Sequence, residues 1–183
     1  MNGPSEAALA APASAEAARG VTLNLSSLVA AEGTSFVELG GALAAALWLG
    51  SWGARLQGTG RWPVASVAAQ HQIDVRFQRL SAALEGCHRL EAPRLGLCAG
   101  FRLEQLQAHA PALRDPSGKA LWLPALGGGA SFALPAGHGV AYSAELQSHF
   151  RLQPATLSAE PWGVVYTLPG WDVLLAIGAD WSP

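Results

Sequence analysis

Lysine is almost missing from this 183-residue chain: Lys119 is the only one, and every other basic side chain is an arginine or a histidine. Charge is scarce altogether, at 13% of residues against about 25% in an ordinary soluble domain. With a formal net charge of −2 and no basic run, the electrostatic footprint of a nucleic-acid binder is missing, and no nucleic-acid partner is expected. Long apolar runs are lacking too. The longest candidate, Leu39 to Trp52, is broken by glycines and falls short of the ~18–20 residues a membrane helix needs. No HExxH, CxxC or GxSxG occurs, and no GK[ST] follows Gly127–Gly129, so the sequence offers no ground for a metal, a phosphate loop or any cofactor. A basic start followed by an apolar core is absent from residues 1–19, so they do not read as a signal peptide, and an export signal is expected outside this chain or removed from it.

Half of the chain is hydrophobic, with 21 glycines and 7 tryptophans. Residues 1–19 are an Ala/Pro/Ser/Glu stretch that reads as a disordered tail or linker, and 20–183 as one β-domain. From residue 20 the dominant period is two, the period of strands. Trp52, Ala54, Leu56, Gly58, Gly60 and Trp62 share one face, while Gly53, Arg55, Gln57, Thr59 and Arg61 share the other. The split recurs along 20–30, 35–49, 51–63, 72–88, 94–107, 119–134, 138–152 and 169–182, which makes eight strands. Over 73–88 the apolar positions change phase near Gln78–Arg79, from Ile73, Val75 and Phe77 to Leu80, Ala82 and Leu84; a β-bulge is expected there. Connections near Gly50, Ala92 and Ala136 are short, and those at 30–35, 63–72, 107–119 and 152–169 are longer. Short turns at one end and longer loops at the other are the plan of an outer-membrane barrel.

Three features set which face meets lipid. Trp52 and Trp62, Trp122 and Phe132, and Trp171 and Trp181 each lie ten residues apart on one strand face. Ten residues rise about 33 Å, and a tilt of ~40° projects that to about 25 Å, the height of a lipid-facing band between aromatic girdles. The opposite face is rich in Gly, Ala and Ser, suited to the cramped lumen of a small barrel. The apolar faces carry almost no charge. The expected fold is therefore an all-β, eight-stranded, antiparallel up-and-down transmembrane β-barrel.

Cys87 and Cys98 are equidistant from a turn centred between Ala92 and Pro93, so an antiparallel hairpin sets them directly opposite on the lumen face, within reach of a disulfide. The same face collects Glu38, Arg55, Arg61, Arg79, Glu85, Arg102, Glu104, Glu145, Arg151 and Asp172, with Gln57, His149 and Asp180; arginine–carboxylate pairing that fills the lumen is expected. His71, His109 and His138 fall in expected loops or turns. Ser143, Ser148 and His149 are the one cluster with the residue types of a lipid hydrolase. Asn24-Leu25-Ser26 has the form of a glycosylation sequon but sits within a strand.

The chain resembles small eight-stranded outer-membrane barrels. Through Gly86-Cys87, Leu97-Cys98-Ala99-Gly100 and Ala120-Leu121-Trp122-Leu123-Pro124-Ala125, it is also similar to the uncharacterised C-terminal barrel domains of myxobacterial proteins. The resemblance spans roughly 20–182 and implies a bacterial outer-membrane location, with residues 1–19 as a linker from a preceding region. It departs from the outer-membrane pattern at its last residues, where Trp181 is followed by Ser182 and Pro183. The expected role is a monomeric membrane anchor or interaction scaffold, without catalysis, that contacts lipid and presents its loops to a protein partner. Two alternatives stand beside it. One is a soluble lipocalin-like barrel holding an apolar ligand among Leu39, Leu43, Leu56, Leu126, Leu146 and Leu175; the other is a lipid-modifying outer-membrane enzyme.

Overall fold

Alternation of a bulky apolar residue with a small or polar one builds strands whose two faces differ, and pairing those strands into a closed ring separates the faces into an outside and an inside. The computed structural model describes residues 19–32, 36–64, 67–68, 74–90, 94–109, 120–159 and 163–183. Its strands are β1 (Arg19–Glu32), β2 (Phe36–Leu49), β3 (Trp52–Pro63), β4 (Val67–Ala68), β5 (Asp74–Arg89), β6 (Leu95–His109), β7 (Leu121–Gly137), β8 (Val140–Arg151), β9 (Ala155–Ala159), β10 (Gly163–Leu168) and β11 (Trp171–Trp181). No helix occurs among the described residues.

Eight of these strands pair in the order β3-β2-β1-β11-β8-β7-β6-β5, and β3 pairs with β5 to close the ring. All the ladders are antiparallel. Closure leaves no unpaired sheet edge in the ring. The two-residue β4 extends the sheet beside β5, and β9 with β10 forms a separate hairpin within the connection from β8 to β11. A bare loop over 152–169 is thus corrected to a hairpin.

The short turns lie at one end. Gly50 adopts φ 64°, a left-handed conformation that glycine takes without steric cost, and joins β2 to β3 through Gly50–Ser51. The turn between β7 and β8 falls at His138–Gly139 rather than at Ala136, because the ladder slips between Pro135 and Gly137 and continues to Gly137 opposite Val140. The turn residues 91–93 lie outside the described residues.

The bulge expected near Gln78–Arg79 does not form. The β5–β6 register runs unshifted from Arg76 opposite His109 to Arg89 opposite Gly96. Val75 and Phe77 therefore point inward, each fully buried, and share the lumen face with Arg79; Ile73 lies outside the described residues. Phe77 packs at 5.2 Å between ring centres against Tyr166 of β10, and Ala155 of β9 and Leu168 of β10 are buried at the same end. The hairpin in the long connection thus supplies an apolar stopper to the loop-side mouth.

Candidate functional site

Inward-facing positions on eight strands converge on one axis, so charges far apart in sequence meet there. In the loop-side half, Arg61 of β3 donates from Nη1 to Asp172 of β11 at 2.7 Å and from Nη2 to Glu104 of β6, and Glu38 of β2 lies 3.4 Å away. Arg79 of β5 pairs with Glu38 at 2.8 Å and Glu104 at 3.3 Å. Arg151 of β8 reaches Glu104 at 3.1 Å and donates to the Pro169 carbonyl at 2.6 Å. His149 Nδ1 meets Asp172 Oδ1 at 3.1 Å. Arg61 and Arg79 are completely shielded from solvent. Three guanidiniums against three carboxylates make this knot electrically balanced, the condition under which buried charge is tolerated.

Below it, Arg102 donates to Gln147 at 3.0 Å, and Gln147 donates to Gln57 at 3.1 Å across the lumen. Nearer the short turns, Arg55 donates to Glu85 at 2.6 Å and holds Glu145 through two bonds of 2.9 and 2.5 Å. Gly100, Gly127 and Gly129 line the facing wall. A Cβ at Gly127 would lie 2.6 Å from the Ser148 carbonyl, so a bulkier residue does not fit.

Past Arg55 the lumen opens into a cavity of about 630 Å³ at the short-turn end, lined among others by Asn24, Trp48, Arg89, Ser143 and Asp180. Trp48 and Arg89 escaped the sequence argument. Extending the period of two by one step beyond Ala46 would have set Trp48 inside, but nothing in the sequence links it to Arg89, whose guanidinium lies 3.5 Å over its ring.

Cys87 and Cys98 stand opposite each other in the β5–β6 ladder and are disulfide-bonded. Peptide mass mapping of non-reduced protein should recover the two joined. The closed loop is short, so replacing both by serine is expected to cost about 2–3 kcal/mol on the chain-entropy scale, read as an earlier denaturation midpoint in detergent. The disulfide also occupies both sulfurs of the one cluster of possible metal ligands among the described residues, Glu85 with Cys87 and Cys98.

The outward face carries the apolar residues. Leu39, Leu43, Leu56, Leu126, Leu146 and Leu175 are all exposed on it, which corrects the alternative that gathers them round an enclosed ligand. Trp62, Trp122 and Trp171 stand outward toward the loop end, and Trp52, Phe132 and Trp181 toward the short-turn end. Ser148 faces outward while His149 faces in, and Ser143 donates to Asp180 at 3.4 Å about 20 Å along the strand from His149, so the hydrolase cluster does not assemble. Asn24 points into the lumen, bonded to Asp180 at 2.5 Å. His109 ends strand β6 rather than lying in a loop, His138 sits in the β7–β8 turn, and His71 lies outside the described residues.

No model of a known protein family matches the sequence, and no curated protein matches it. Solved structures do. The outer membrane protein OprG of Pseudomonas aeruginosa superposes with a TM-score of 0.63 at 10% identity, covering 92% of this chain and 97% of that one. This chain has the fold of the small outer-membrane barrels. A major outer membrane protein of Thermus thermophilus gives a TM-score of 0.62 at 14% identity over 88% of this barrel and 99% of its own chain. Neisserial surface protein A gives 0.61 at 12% identity over 89% of this barrel and 96% of its own. At these identities only the path of the backbone is shared.

Proposed function

We propose that the protein is a bacterial outer-membrane barrel that serves as an anchor and scaffold, with its outward face in lipid and its long connections presented at the outer surface. The observation that carries this reading is the inversion of polarity. Arginines and carboxylates are buried along the axis, while Leu25 at 70% exposure, Leu43 at 64% and Ile177 at 64% look out. Such a surface, continuous round a closed ring, has hydrocarbon as its natural solvent. The outward aromatics toward both ends act as the girdles at the two lipid–water boundaries, about 25 Å apart. The neighbours named above, two of them outer membrane proteins, support the location.

The lumen charges act structurally, with Arg55, Arg61, Arg79 and Arg151 each paired with carboxylates, and the barrel works without catalysis, as a monomer. The resemblance to C-terminal barrel domains of myxobacterial proteins extends the proposal: the barrel holds a preceding region at the membrane, while 152–169, with its hairpin, meets a protein partner.

Electrophoresis of detergent-folded protein tests the reading. Unboiled protein should migrate differently from boiled protein and should lose that difference, or precipitate, once detergent is withdrawn. A monodisperse, folded species without detergent would overturn the proposal.

A further inference from the structure

The short-turn cavity carries charges of both signs: Arg89 and Arg94 from one side of the ring, and Asp180 from the strand across it. Arg89 on β5 leans across the mouth and donates to Thr22 of β1 at 3.1 Å; neither it nor Arg94, at the start of β6, forms an ion pair among the described residues. Across the ring on β11, Asp180 accepts from Asn24 and Ser143, both through Oδ1, and its Oδ2 makes no hydrogen bond among the described residues. Trp48 also lines the cavity, and its indole Nε1 is buried without an acceptor among the described residues. An inorganic anion in this chamber would face Asp180 and Glu145, and a simple cation would face the arginines. A zwitterion offers each sign of charge its counterpart within the one cavity. The volume falls within the range of about 300–1,000 Å³ usual for small-ligand sites.

We propose that this chamber binds a short zwitterionic peptide, its carboxylate held by Arg89 and Arg94 and its ammonium by Asp180. The backbone amides of such a ligand match the Trp48 Nε1 donor and the Asn24 Oδ1 acceptor, and the small apolar walls at Ala44, Ala46 and Ala133 suit compact side chains. Binding of this kind depends only on the cavity and not on which compartment its mouth faces.

Calorimetric titration of the detergent-folded barrel with tri-alanine, N-acetyl-tri-alanine and tri-alanine amide tests it. Tri-alanine should bind, and each capped form should bind about tenfold more weakly or worse, since each loses a charge-assisted hydrogen bond. The double change Arg89→Gln with Arg94→Gln should abolish the penalty for amidation and Asp180→Asn the penalty for acetylation, in variants that keep the unboiled gel mobility. Should a variant fail to fold, the three-ligand series on the native protein decides alone. No binding of tri-alanine at millimolar concentration, or equal binding of all three, would overturn the proposal.

Discussion

Leu43→Arg is expected to cost the barrel about 2–4 kcal/mol when it is folded in lipid vesicles. Leu43 faces outward from β2, opposite Leu25 on one side and Gly58 on the other. It lies between Leu39, level with Trp62, and Leu49, level with Trp52, which places it near mid-height of the apolar band. An arginine there must bend the bilayer or draw water to its guanidinium. On a water-facing surface the same change would fall within about 0.5 kcal/mol of neutral. Denaturant titration followed by tryptophan fluorescence in vesicles separates the two. An unchanged midpoint would mean that this face does not sit in hydrocarbon, and the anchor proposal would fall with it.

Arg61→Met should be the more damaging change. Arg61 contacts Glu38, Glu104 and Asp172 and is completely enclosed. Without it, three carboxylates share the two remaining guanidiniums of Arg79 and Arg151. Breaking one partner out of a buried ionic group costs about 3–5 kcal/mol, because charge is left without a counterion or water. The expected result is a low folded fraction on the gel. Adding Glu104→Gln, which removes one excess negative charge, should restore part of it. Full stability of the single variant would show that the knot is filler rather than support.

The strand faces were legible because period two, read against small lumen residues, admits one assignment along β2, β3, β6 and β8. The cysteine pairing was legible for a similar reason: a hairpin register is simple arithmetic about its turn, and both sulfurs fell on the same face. Individual ion pairs were not, since which arginine meets which carboxylate depends on how strands remote in sequence are staggered round the ring. Arg55 and Glu145, from β3 and β8, illustrate this: they meet only because the ring closes. The misread stretch at Val75 and Phe77 has a definite cause. Apolar residues on a lumen face near its mouth and a change of phase in the strand give the same letter pattern, and only the cover supplied by Tyr166 and Leu168 tells them apart. That cover comes from a hairpin in the β8–β11 connection, which long-loop composition conceals.

The stopper of Phe77 and Tyr166, the ionic knot round Arg61 and the Arg55 clamp stand one behind another along a single axis. Barriers so arranged behave as resistors in series, and the highest of them sets the flow. Opening any one leaves the current through the lumen governed by the other two. A lineage of such barrels can therefore vary each barrier separately without its membrane becoming leaky.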